Sequence, residues 1–132
     1  AKSSAASDVY KRQLIEPGMA IKRQRARLSG ITDIIYVHID MDVLDPREVP
    51  GHSLNVSGGP TSRELASALT LMFSYPKVAA LGIASTPYGE DDPDFLSRQA
   101  AYNLIAGALE GLQQRENPRS VNARRLDLPE DR

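Results

Sequence analysis

The stretch Ile34–Pro46, IIYVHIDMDVLDP, decides how the rest of the chain is interpreted. Its apolar beginning predicts a buried strand, and three aspartates follow before the proline. Because side chains alternate along a strand, His38, Asp40 and Asp42 should project from one face. Two carboxylates so close together repel each other unless a cation lies between them or one of them is protonated. The pattern favours a metal site, and an ordinary acidic turn after a core strand is the alternative.

Length and composition predict one modest globular domain. The chain has 132 residues, of which 41% are hydrophobic and 25% are charged. Its formal net charge of −1 provides no overall attraction to nucleic acid or to an anionic membrane. A short basic helix is expected over Met19–Leu28, but no aromatic residues alternate with its cations to stack on bases. We therefore expect neither a nucleic-acid partner nor a membrane partner.

The absence of cysteine limits the chemistry of any metal site. The sequence contains no cysteine, so a metal must be held by oxygen atoms or by histidine nitrogen. No apolar run approaches the roughly 20 residues that span a bilayer, and the N-terminus lacks the apolar core of a secretory signal. A cytoplasmic location is the expectation.

Three segments are predicted along the chain. Residues 1–13 are small and polar and are interpreted as a non-native or disordered leader. Residues 14–116 form the folded part. Residues 117–132 are polar and charged and are expected to be a disordered tail.

The middle of the chain predicts a βαβ unit. Strands are expected over Thr32–Ile39 and Val78–Ala84, and the first is rich enough in β-branched residues to be buried on both faces. A long loop over 46–60 leaves the first strand, and loops of this length are usually functional. The sequence TSRE at Thr61–Glu64 predicts a capping box that begins a helix ending near Phe73. The two strands should therefore be parallel, with a right-handed crossover.

A last helix is predicted from Phe95 to about Gln114. Its buried side is expected to carry four apolar residues at helical spacing: Ala101, Ile105, Ala108 and Leu112. Asp94 or Pro93 is expected to begin this helix.

Several motifs together resemble the ureohydrolases, the superfamily of arginase, agmatinase and formimidoylglutamase. Residues 38–46 resemble that family's S/H-x-D-x-D-x-x-D-P signature. Residues 58–64, GGPTSRE, are similar to its G-G-L-T-x-R-E segment, and residues 80–83, ALGI, to its A-L-D-I strand. The resemblance covers roughly residues 30–114.

The resemblance implies a fold and a metal centre. The fold would be a partial three-layer α/β/α sandwich with a parallel sheet, truncated at its N-terminal side. The family binds two Mn²⁺ ions, which Asp40 would bridge, while Asp42 would bind a single ion; Asp45 would fix the turn. The substrate would be a small guanidino or amidine compound whose C–N bond is hydrolysed. A homo-oligomer is possible for the intact protein.

Two departures from the family bear on activity. Its histidine-bearing upstream segments are absent, so the chain alone is expected to be inactive. Ser85 stands where many members have a glutamate that contacts the guanidinium group, which favours a formimidoylglutamase-like or other amidine hydrolase as the alternative. Ser85, His52 and Thr61 are the candidate substrate contacts, and His38 is expected to pack or to orient a ligand. A non-catalytic interaction subunit is the third hypothesis.

Overall fold

The computed structural model describes residues 17–54 and 56–116. The helices and strands, in chain order, are α1 (Pro17–Ser29), β1 (Ile35–Asp40), α2 (Ser62–Phe73), β2 (Val78–Ala84) and α3 (Leu96–Glu116). Short 3-10 turns occur at Met41–Val43, Gly89–Asp91 and Pro93–Phe95. The predicted leader and tail lie outside the described residues.

The two strands pair in parallel, as the βαβ prediction requires. The register runs from Ile35 opposite Val78 to Asp40 opposite Ala84, so both strands end at the same edge of the sheet. The predicted bounds of β2 are confirmed, but those of β1 are shifted toward the C-terminus. Thr32 lies instead just after the turn that ends α1, and its N–H and its hydroxyl both donate to the Leu28 carbonyl, at 3.0 and 2.9 Å.

The prediction that β1 is buried on both faces is wrong for the described structure. Ile35, Val37 and Ile39 pack against the core, whereas the alternate residue Tyr36 keeps 58% of its surface exposed. Within residues 17–54 and 56–116, helices cover one face of the sheet and leave the other open. The structure thus contains two of the three layers that an α/β/α sandwich requires.

Helices α2 and α3 supply much of the core. The predicted apolar stripe of α2 is confirmed, since Leu69 and Phe73 are buried and Leu65 and Met72 pack against them. The buried hydrophobic residues are Met41, Leu44, Val49, Leu69, Phe73, Val78, Ala100, Leu104 and Ala108. Three of these, Met41, Leu44 and Val49, follow β1 directly in the chain, so the beginning of the long loop belongs to the core.

The predicted buried stripe of α3 is wrong at one position. Ile105 is 41% exposed, and its neighbour Leu104 is fully buried. The cause is the close approach of α2, because a Cβ atom at Gly107 would overlap the Ala66 carbonyl and one at Gly111 would overlap the Thr70 carbonyl. The two glycines therefore face α2, and this contact sets which apolar residues of α3 point inward.

Helix α1 is basic, as predicted, and one of its cations has a structural role. The Arg25 guanidinium donates to the Leu71 carbonyl at 3.2 Å and stacks over the Tyr75 ring at 4.6 Å. None of the helices within 17–54 and 56–116 is long and apolar enough to cross a membrane.

Candidate metal centre

Asp40 and Asp42 lie together at the carboxyl end of β1, but not for the predicted reason. The strand ends at Asp40, and the 3-10 turn Met41–Val43 begins immediately after it. Asp40 caps this turn by accepting the Asp42 N–H on Oδ1 at 3.2 Å. The prediction that alternation along a continued strand brings these two side chains together is therefore wrong. The 3-10 turn brings them together instead.

His52 returns to the same place from the long loop. One ligand atom each of Asp40, Asp42 and His52 lies within 4.8 Å of the other two. The His52 Nε2 atom is 3.9 Å from Asp40 Oδ1, and only 9% of the His52 side chain is exposed, compared with 45% for Asp40. Two carboxylates and one imidazole thus converge at the sheet edge, where parallel α/β proteins place their ligands.

The loop that carries His52 is fixed to the rest of the fold. Leu44 and Val49 are fully buried. The Glu48 carboxylate accepts the N–H of Ser62 and also its hydroxyl, the latter at 2.9 Å. Because Ser62 begins α2, the negative charge of Glu48 also lies at the positive end of the helix dipole. The position of His52 is therefore set by burial and by a charged hydrogen bond.

Hydrogen bonds favour the ionised forms of Asp40 and Asp45. The Asp42 N–H is the main reason that the pKa of Asp40 lies below its ordinary value, although desolvation opposes the shift and the Ser85 hydroxyl adds to it. Hydrogen bonds from Arg47 lower the pKa of Asp45 to about 2. Asp45 accepts from both the N–H and the guanidinium of Arg47, so it fixes the turn, as predicted.

Two of the three predicted substrate contacts line one cleft beside Asp40. The Ser85 hydroxyl donates to Asp40 Oδ2 at 3.1 Å. A cleft of about 200 Å³ lies here, lined by Gly51, His52, Ser53, Ser85, Thr86, Pro87, Tyr88 and Asp91. Thr61 is not among its lining residues, and its hydroxyl exchanges hydrogen bonds with Glu64 in the confirmed capping box. A substrate contact by Thr61 stays a prediction.

His38 lies outside the converging group. It sits on β1 with its Nδ1 atom 3.0 Å from the Tyr36 hydroxyl. A larger groove of about 510 Å³ runs between α1 and β1, but no carboxylate lines it. What the sequence did not reveal was the proximity of His52 and Ser85 to Asp40. The only signal for His52 was that a histidine occurs in a loop leaving the same sheet edge.

The residues at this edge fit part of a manganese site. Carboxylate oxygens and imidazole nitrogens are ligands that Mn²⁺ accepts. Within the described residues, however, two carboxylates and one imidazole are too few to surround two ions of that kind. The residues of this edge therefore fit one side of such a centre, and not the whole of it.

A parallel βαβ unit with carboxylates converging at its carboxyl edge defines an α/β protein with a candidate metal site. The chain belongs to the Arginase family, whose model matches residues 4–104. This confirms the resemblance to the ureohydrolase superfamily. The match includes residues 4–13, within the segment predicted to be a leader.

Curated relatives agree with the family. The chain is 37% identical to a formimidoylglutamase from Bacillus subtilis over 82 residues, which are 62% of this chain and 25% of that protein. It is 39% identical to an agmatinase from Bacillus cereus over 62 residues, 47% of this chain and 20% of the relative. The chain thus spans about a quarter or less of the length of these relatives.

Solved structures show the same fold. The crystal structure of formimidoylglutamase from Bacillus subtilis aligns with a TM-score of 0.64 and 33% identity, covering 71% of this chain and 29% of that one. An arginase from Bacillus caldovelox aligns with a TM-score of 0.60 and 26% identity, covering 70% and 30%. These alignments confirm an arginase-like partial α/β fold.

Proposed function

We propose that this chain supplies one side of a binuclear manganese centre in a hydrolase that cleaves the C–N bond of a small guanidino compound. Asp40 and Asp42 would hold the metal, which when bound activates water as the nucleophile. The cleft lined by Ser85 and His52 would receive the substrate. On its own the 132-residue chain would lack activity, because its described residues offer too few ligands for two ions.

The observation that carries this proposal is the convergence at the carboxyl edge of the sheet. One side-chain oxygen each of Asp40 and Asp42 and one ring nitrogen of His52 lie within 4.8 Å of one another. The hydrogen bonds of Asp42 N–H and the Ser85 hydroxyl lower the pKa of Asp40 and so favour the ionised carboxylate that a cation requires. Membership of the Arginase family and the agmatinase and formimidoylglutamase relatives support the choice of a C–N hydrolase.

A second candidate is a formimidoylglutamase-like hydrolase that acts on another amidine. Ser85 favours it, because it lines the cleft at the position where many guanidino-hydrolysing members of the family have a glutamate. The similarity to a formimidoylglutamase in both sequence and structure also supports it. Turnover of a formimidoyl compound without turnover of guanidino compounds, in the intact protein, would select this candidate.

Titration with Mn²⁺ tests the metal site directly. The loss of the EPR signal of free aqueous Mn²⁺ should reveal binding that is weaker than micromolar, and both Asp40→Asn and Asp42→Asn should abolish it. Asp33→Asn, which alters an exposed aspartate before β1, is the matched control and should bind as the unchanged chain does. Micromolar or tighter binding would contradict an incomplete site, and equal binding by Asp40→Asn would contradict the site itself.

The sequence of the intact gene would distinguish the third hypothesis, a non-catalytic interaction subunit, from the two hydrolase hypotheses. Upstream G-G-D-H and D-A-H-x-D segments would supply the missing metal ligands and would support the enzyme. A complete reading frame without them would favour the interaction subunit.

A further inference from the structure

The carboxylate of Asp40 accepts two hydrogen bonds, and an imidazole from a third part of the chain faces it at a longer distance. The Asp42 N–H donates to Oδ1 at 3.2 Å, and the Ser85 hydroxyl donates to Oδ2 at 3.1 Å. The His52 Nε2 atom lies 3.9 Å from Oδ1. Asp42 and Asp40 are neighbours in sequence, but the other two residues come from the loop after β1 and from the end of β2.

The backbone of Ser85 is turned so that this contact can form. Asp40 pairs with Ala84, so in a continued strand Ser85 would point to the opposite face of the sheet. Ser85 instead has a φ of +57°, in the left-handed region that serine rarely adopts. Residues held in such conformations concentrate at functional sites, where the surrounding structure maintains them. The left-handed turn directs the hydroxyl to Asp40.

The hydrogen bonding of His52 fixes which ring nitrogen carries the proton. The Leu54 N–H donates to Nδ1 at 3.2 Å, so in the neutral ring Nδ1 is the acceptor and the proton is on Nε2. Nε2 is the atom that faces Asp40. His52 therefore presents an N–H group to the carboxylate, and not a lone pair to a metal ion.

We propose that Ser85 and His52 are positioning residues that hold Asp40 in its metal-binding orientation. The inference rests on the proposed function, since it requires a cation at Asp40 and Asp42. It assigns to Ser85 an effect on metal affinity and not only on substrate binding, and it excludes His52 from the direct ligands. Outer donors of this kind typically change metal affinity by about tenfold or more when removed.

Two substitutions at Ser85 separate the hydroxyl from the backbone conformation. Both Ser85→Ala and Ser85→Gly remove the donor, and we expect each to weaken Mn²⁺ binding about tenfold in the EPR titration. Glycine adopts positive φ readily, so Ser85→Gly should unfold at the same or a higher urea concentration than the unchanged chain. Ser57→Ala, at an exposed serine outside the lining of the cleft, is the control and should leave the affinity unchanged.

Pulsed EPR of the bound Mn²⁺ tests the role of His52. Direct ligation by imidazole would give a strong ¹⁴N coupling, and we expect no such coupling from His52. The chain has two histidines, so His52→Ala and His38→Ala together assign any signal. A ¹⁴N coupling that disappears in His52→Ala but persists in His38→Ala would make His52 a ligand and would overturn its assignment as a donor.

The metal site and the positioning role can be contradicted separately. If the unchanged chain binds no Mn²⁺, both the metal site and the positioning role are wrong. If it binds Mn²⁺ through Asp40 while Ser85→Ala and Ser85→Gly bind equally well, the positioning role of Ser85 alone is wrong.

Discussion

The loops after β1 and β2 leave the same edge of the sheet but are held very differently. In the loop after β1, Leu44 and Val49 are fully buried and Glu48 binds the start of α2. In the loop after β2, Tyr88 is 82% exposed and Phe95 is exposed as well. The first loop carries two of the three converging groups of the candidate site, whereas the second contributes one hydroxyl at its beginning. A site that must place charged groups accurately is thus built on the loop that belongs to the core.

The largest effect is expected when the first loop loses a side chain that belongs to the core. Leu44→Ala should lower the free energy of unfolding by about 2–5 kcal/mol, because it removes a fully buried side chain and leaves a cavity. Tyr88→Ala, in the second loop, should change it by less than about 0.5 kcal/mol. Urea denaturation measures both. Equal effects of the two substitutions would show that the loops are held alike.

A smaller effect is expected where the two loops touch. A Cβ atom at Gly51 would overlap the Asp91 carbonyl, so Gly51→Ala should destabilise by about 1–3 kcal/mol and shift the NMR signals of His52. Gly18→Ala is the control, since a Cβ atom there makes only an ordinary contact with Leu71. If the two variants are equally stable, the loops do not pack against each other at this point.

The smallest effect concerns the end of the first loop, where Thr61 and Glu64 form the capping box. Hydrogen bonds from the N–H and hydroxyl of Thr61 hold the pKa of Glu64 below 4.5. Because the folded pKa is lowered, the stabilisation is complete above pH 4.5 and is lost as the pH falls through the folded value. NMR titration should find the low pKa, and Thr61→Ala should raise it toward 4.5. An unchanged pKa in that variant would contradict the cap.

Local patterns predicted the parts of this fold that depend on neighbours in sequence. The capping box at Thr61 and the bounds of β2 were correct because turn chemistry and short apolar runs act over a few residues. The start of β1 was wrong because the Leu28 carbonyl competes for Thr32. The inward face of α3 was wrong only at Ile105, because the approach of α2 to Gly107 shifts the side of the helix that points inward.

The sequence by itself determined the βαβ unit, the acidic edge formed by Asp40 and Asp42, and the family. Only the tertiary structure decided that Ser85, 45 residues beyond Asp40, would donate to its carboxylate, and that His52 would face it. The physical reason is that these contacts follow from the parallel register of two strands and from the burial of Leu44 in the loop. Neither the register nor the burial is a property of any short stretch of residues.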